Sequence, residues 1–129
     1  MQENSGNNLK KVILVVEDDE IINLAYKKAL EEAGFEAIFA STGEQGCNLV
    51  KLHKPNLILL DIMLQGKKNG FDVLSAIKSD QDTKEIPVFV MTNLDTTHEK
   101  EALEMGAAKF YVKANTSLLD MIKEIKSLT

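Results

Sequence analysis

No apolar run in this chain approaches the ~20 residues needed to cross a bilayer, so membrane insertion is not expected. The first residues, "MQENSGNNL", contain no apolar signal region, and export is not indicated. Cysteine is nearly missing. Cys47 stands alone, which excludes an internal disulfide and fits a reducing, cytoplasmic setting. Positive charge is in deficit, with 15 Lys and Arg against 20 Asp and Glu and a net charge of −5, which argues against a direct nucleic-acid surface. No Gly-Lys-Ser/Thr occurs, so a nucleotide-hydrolase phosphate loop is absent. What remains is 129 residues of ordinary globular composition, 44% hydrophobic and 27% charged, enough for one domain with one core.

The apolar residues come in short bursts. "VILVV" (12–16), "EAIFA" (36–40), "NLILLD" (56–61), "IPVFVMT" (86–92) and "KFYVK" (109–113) read as strands. Residues 1–9 lack periodicity and read as a loose tail, leaving 10–129 as the domain. Helical spacing fills the gaps. After the first strand, Ile22, Ala25, Ala29 and Ala33 recur on one stripe, with Ile21 and Leu30 beside it and Gly34 as a stop. Ser41 and Glu44 have capping-box spacing for a second helix ending before Pro55, although Gly43 and Gly46 lie inside it. Phe71, Leu74 and Ile77 mark a third helix. A fourth, mostly polar, spans Asp95 to Met105 before Gly106. The last places Leu118, Met121, Ile122, Ile125 and Leu128 on one face, with Asn115 to Ser117 as candidate caps.

Five strand–helix pairs with near-continuous apolar strands imply an α/β protein: a parallel sheet covered on both faces, doubly wound in the order 2-1-3-4-5. Such sheets bind ligands beyond the carboxyl ends of their strands, where the winding reverses. Strand one delivers Glu17, Asp18 and Asp19 to that edge, strand three Asp61, strand four Thr92 and strand five Lys113. Taken singly, each has a bland reading as a turn, cap or surface residue. Their coincidence on one edge points to a site.

The segments "VILVVEDDE", "LILLDIML…GFDVL", "IPVFVMTN" and "GAAKFYVK", in this order and spacing, resemble a response-regulator receiver domain over about residues 10 to 128. The resemblance implies a flavodoxin-like (βα)5 fold and a signalling role in a two-component or phosphorelay system. It implies that Asp61 accepts a phosphoryl group from a phosphohistidine of a sensor histidine kinase or phosphotransfer protein. It implies a Mg²⁺ (or Mn²⁺) ion held by Asp18, Asp61 and the backbone carbonyl of Met63, with Glu17 acting through water. Thr92 then matches the hydroxyl that engages the phosphoryl group, Lys113 the lysine that pairs with it, and Phe110 the aromatic that reorients on activation. A receiver of this kind catalyses only its own phosphorylation and dephosphorylation. Its output is protein contact through helix four, strand five and helix five. The chemistry suits these residue types. Three carboxylates carry −3, and Mg²⁺ with Lys113 supplies +3, so the site is neutral before the phosphoryl group arrives.

The chain departs from the family pattern in four places. Ala114 stands where Pro often follows the lysine, and Gln65 where Pro often stands four residues after the acceptor. The loop "QGKKNG" is one residue longer than is common, which brings Lys67 or Lys68 near the site. Asn93 replaces a small residue beside the phosphoryl pocket and either restricts access or adds a hydrogen bond. Rival classes fit less well. A flavodoxin-like cofactor binder needs a Ser/Thr/Gly-rich loop where "EDDE" stands, and a haloacid-dehalogenase-type phosphatase needs an acid where Met63 stands. The alternative function is a receiver fold acting as a binding module without phosphorylation.

Overall fold

The computed structural model describes residues 9–129. Apart from Leu9, the expected tail therefore lies outside the described residues. Five strands, β1 (Val12–Val16), β2 (Glu36–Ala40), β3 (Leu57–Asp61), β4 (Val88–Thr92) and β5 (Lys109–Val112), form one sheet in the order β2-β1-β3-β4-β5, and all its pairings are parallel. Between and after them run α1 (Glu20–Glu32), α2 (Gly43–His53), α3 (Gly70–Ser79), α4 (Glu99–Glu104) and α5 (Leu118–Leu128). None is long and apolar enough to cross a membrane.

The core divides by strand alternation, because successive side chains leave a strand on opposite faces. Leu14, Val16, Ile58, Leu60, Val88 and Val90 pack on the α2–α3–α4 side, with Val73, Leu74 and Ile77 of α3. Ile13, Val15, Leu57, Leu59, Phe89 and Met91 pack on the other side, against α1 and α5. Both faces are dry, which explains why the strand sequences are apolar runs rather than alternations.

Several elements differ from expectation. The buried stripe of α1 is Tyr26 and Leu30, flanked by Ile22, Ala29 and Ala33, whereas Ile21 is 80% exposed and Ala25 is exposed. Ile21 belongs to the first turn, and Ala25 lines an open cleft with Ile22, Leu118 and Met121. The cap of α2 sits one residue later than the Ser41–Glu44 spacing implied: Thr42 accepts the Gln45 N–H at 3.1 Å, and Gln45 Oε1 accepts the Ser41 N–H at 2.8 Å. Its two glycines are packing residues. A Cβ on Gly43 would stand 2.5 Å from the Lys68 carbonyl oxygen, and one on Gly46 3.1 Å from Val16 Cγ1. The fourth helix is shorter than Asp95 to Met105. A 3₁₀ turn at Thr96–His98, capped by Asp95, precedes six α-helical residues. In α5 the face is Met121, Ile122 and Ile125 with Leu118 at its margin, capped by Ser117; Leu128, at the end of the helix, is exposed.

Candidate functional site

Parallel strands bring all their carboxyl ends to one edge, and the register fixes who meets whom there. Asp61 ends β3 opposite Met91, and Thr92 ends β4 opposite Val112. Lys113 stands one residue past β5, in a 3₁₀ turn (Lys113–Asn115), so it belongs to the turn rather than to the strand. Glu17 continues β1 by one more ladder bond, its N–H donating to the Ala40 carbonyl at 3.0 Å.

Glu17 is 1% exposed and Asp61 3% exposed. Charged groups so buried need partners. Lys113 Nζ donates to Glu17 Oε1 and lies 3.4 Å from Asp61 Oδ2, bridging the two. The second oxygens are also taken: the Asp19 N–H donates to Glu17 Oε2 at 3.1 Å and the Met63 N–H to Asp61 Oδ1 at 2.9 Å. Asp18 is exposed and makes no hydrogen bond among the described residues. Burial holds the Glu17 carboxyl above the ordinary glutamate range. The Lys113 hydrogen bond opposes that rise and the Asp61 charge adds to it. Beneath the cluster, Tyr26 OH donates to Met91 Sδ at 3.0 Å, and burial, then the charges of Glu17 and Asp61, push the phenol up.

One carboxylate oxygen each from Glu17, Asp18 and Asp61 lie within 4.8 Å of one another. Three hard oxygen donors at that separation suit a Mg²⁺ or Mn²⁺ ion. Glu17 and Asp61 each have both carboxylate oxygens engaged, whereas Asp18 has neither, so Asp18 is the most free to ligate directly. Met63 follows two residues after Asp61 in the turn that leaves β3.

The other expected residues fall around this cluster. Thr92 is buried, and its Oγ1 accepts the Leu94 N–H at 3.2 Å. Phe110 is half-buried on the α2–α3–α4 side, opposite Val90. The Lys113–Ala114 peptide, like every other among the described residues, is not cis. Among the described residues neither Lys67 nor Lys68 forms an ion pair with the acids; Lys67 and Gln65 are exposed, and the Lys68 backbone seats against Gly43. Asn93 is exposed and makes no side-chain hydrogen bond among the described residues. It lines a cleft of about 390 Å³ with Tyr26, Lys113 and Ala114.

Three contributors were given no role from the sequence. Asp19 caps α1, its Oδ1 accepting the N–H groups of Ile21 and Ile22 at 2.9 and 3.1 Å. An Asp one residue before a helix is a recognisable cap, but in "EDDE" it merged with its neighbours. Asn23 Nδ2 donates to the Glu17 carbonyl at 2.9 Å. Gly70 opens α3 so close to β3 that a Cβ would stand 2.3 Å from Ile62 Cα.

A family model for the response regulator receiver domain matches residues 13–125. The polar-differentiation response regulator DivK of Brucella ovis is 29% identical over 119 residues, covering 92% of this chain and 96% of its own. Among solved structures, the Mn²⁺-bound form of response regulator Rcp1 is 30% identical, with a TM-score of 0.74 over 92% of this chain and 91% of that one. The receiver domain of sensor histidine kinase PA1611 from Pseudomonas aeruginosa PAO1, with a magnesium ion coordinated in its active-site cleft, reaches a TM-score of 0.83 over 93% of this chain and 98% of that one. At 17% identity it shares the fold alone.

Proposed function

Because the chain belongs to the response regulator receiver domain family of two-component signalling, we propose that it is a cytoplasmic phospho-accepting switch in which Asp61 takes a phosphoryl group from the phosphohistidine of a sensor histidine kinase or phosphotransfer protein. The observation that carries this reading is the convergence of Glu17, Asp18 and Asp61 within 4.8 Å, with Lys113 in contact with two of them.

Asp61 is held for attack. The Met63 N–H fixes Oδ1, and Lys113 Nζ lies 3.4 Å from Oδ2, so the carboxylate cannot rotate away. A carboxylate oxygen forms the new bond to phosphorus, the phosphorus–nitrogen bond of the donor breaks, and the imidazole leaves with the electron pair. Asp18, Asp61 and the Met63 carbonyl would hold Mg²⁺ (or Mn²⁺), with Glu17 acting through water, and the ion supplies the charge that offsets repulsion between carboxylate and phosphoryl oxygens. Lys113 offers its ammonium to a phosphoryl oxygen. Thr92 uses its oxygen as an acceptor for Leu94, which leaves the hydroxyl proton free to donate to a phosphoryl oxygen. Thr92 and Phe110 then form the switch, and α4, β5 and α5 the face that a downstream protein reads.

Incubation with labelled phosphoramidate and Mg²⁺ should add one phosphoryl group to the wild type and none to Asp61→Asn. Equal labelling of both proteins would refute the assignment.

A further inference from the structure

The Glu17 carbonyl sits in a gap between two backbone systems. The β1–β3 register ends at Val16, and the helical bonding of α1 begins when the Asn23 N–H reaches the Asp19 carbonyl at 3.0 Å. No backbone N–H meets the Glu17 oxygen among the described residues. The Asn23 side chain does, with Nδ2 at 2.9 Å. A carbonyl oxygen only accepts, so the donor end of the amide must face Glu17 and the orientation of the amide is fixed. The other end, Oδ1, is therefore directed into protein, where it is buried and has no partner. A stranded acceptor of that kind is a cost to the fold. Helix propensity does not recommend Asn at this position either, one turn inside a helix already capped by Asp19.

An amide kept at a cost has its use at the end that is bonded. That end holds the peptide joining Glu17 to Asp18. Glu17 has other restraints, since its N–H and both carboxylate oxygens are bonded. Asp18 has none: its carboxylate is exposed, and its direction follows from the peptide that precedes it. We infer that Asn23 is a positioning residue for the metal-binding turn, acting through the Glu17 carbonyl to aim the Asp18 carboxylate at the point where Asp61 and Glu17 converge. This rests on the Mg²⁺ reading above. Groups that orient ligands without touching the ion commonly change metal affinity when removed.

The test is Asn23→Leu, which removes the bond and the stranded oxygen together while keeping the branched shape and the number of side-chain heavy atoms. Asn23→Ala serves as the second variant. Mg²⁺ affinity is measured by calorimetry, and metal-free unfolding by thermal denaturation, in buffers matched in ionic strength with NaCl. Asn23→Leu should weaken Mg²⁺ binding about tenfold, while its metal-free midpoint stays at or above that of the wild type. The Mg²⁺ concentration for half-maximal labelling by phosphoramidate should rise by the same factor, with the rate at saturating Mg²⁺ preserved. Wild-type affinity in both variants overturns the inference, as does an affinity loss matched in both by a lower metal-free midpoint, which is what a merely structural amide gives. A wild type that takes up no Mg²⁺ overturns this inference and the metal reading together; a wild type that binds beside variants that bind equally well overturns this inference alone.

Discussion

Lys113→Met removes one ammonium and leaves two buried carboxylates facing each other. The Lys113 side chain is 11% exposed, so water replaces little of what is lost. At 3.4 Å from Asp61 Oδ2 the attraction is about 5 kcal/mol at an effective dielectric of ~20. The contact with Glu17 Oε1 adds a second such contribution. Part of both offsets the desolvation of the three groups, so the measurable loss is smaller: removing one partner of a buried pair costs about 3–5 kcal/mol. For a chain of 129 residues, at ~2.1 cal/mol/K of unfolding entropy per residue, that lowers the midpoint by about 10–20 °C.

The loss depends on pH in a definite direction. The Glu17 carboxyl is raised above its unfolded value, first by burial, and the Lys113 hydrogen bond is the largest influence holding it down. Without Lys113 it rises further. A raised carboxyl contributes stability that is full below the unfolded pKa of ~4.5 and is lost as pH climbs through the folded value. The deficit of Lys113→Met relative to wild type should therefore be smaller near pH 5, where the lost contact with Asp61 still counts, and grow toward pH 7.5. Glu17→Gln with Lys113→Met should recover much of it, because one of the stranded charges is gone. Thermal unfolding of the wild type and both variants at the two pH values, without divalent ions, measures all of this. A Lys113→Met midpoint equal to wild type at pH 7.5, or a deficit that does not change with pH, refutes the argument that Lys113 neutralises a buried acid pair.

Two other outcomes follow from the geometry. Gly70→Ala forces a Cβ to within 2.3 Å of Ile62 Cα and 2.5 Å of the Asp61 carbonyl oxygen, both backbone atoms that cannot swing aside; it should destabilise by about 3 kcal/mol or more in urea unfolding and slow labelling of Asp61 by displacing the turn after β3. In α4 only Ala102 is buried and no side chain caps the first turn, so its amides should exchange with solvent faster than those of α1 and α5 in the unphosphorylated protein, and equal protection would count against α4 as the mobile part of the output face.

The sheet was legible because its strands are apolar on both sides, a pattern that only a doubly covered parallel sheet explains, and the order of five strand–helix pairs then leaves little freedom. The acids were legible because Asp61 follows "LILL" and Glu17 follows "VILVV". What escaped was one-residue geometry. Ser41 and Thr42 are both competent caps, and nothing local says which one the chain uses. Gly43 and Gly46 read as weak points in a helix, yet each is needed by a neighbour distant in sequence, Lys68 and Val16. The inward face of α1 turned on Tyr26, whose hydroxyl hides its apolar body from a count of aliphatic residues. Asn23 belongs to no motif, since its partner is a backbone carbonyl.

The parity of the strands decides which side of the sheet can receive a signal from this edge. On β4, Val88 and Val90 face α2, α3 and α4, and Phe89 and Met91 face α1 and α5. By alternation Thr92 shares the side of Val88 and Val90, and Phe110, opposite Val90, lies there too. Asp61 has the parity of Leu57 and Leu59, on the side of α1 and α5. Its register partner Met91 is tied there by the Tyr26 hydroxyl. The proposed acceptor thus sits over one layer and the hydroxyl that would sense it over the other. A shift of Thr92 toward a phosphoryl group on Asp61 would relieve the α4 layer beside Phe110, while Met91, bonded by the Tyr26 hydroxyl, stays packed against α1. Such a division requires that Thr92 differ in its contacts between two states, because an equilibrium moves only by the difference in interaction energy between them. Its bond from Leu94, in the turn leading to α4, is the contact already in place to differ.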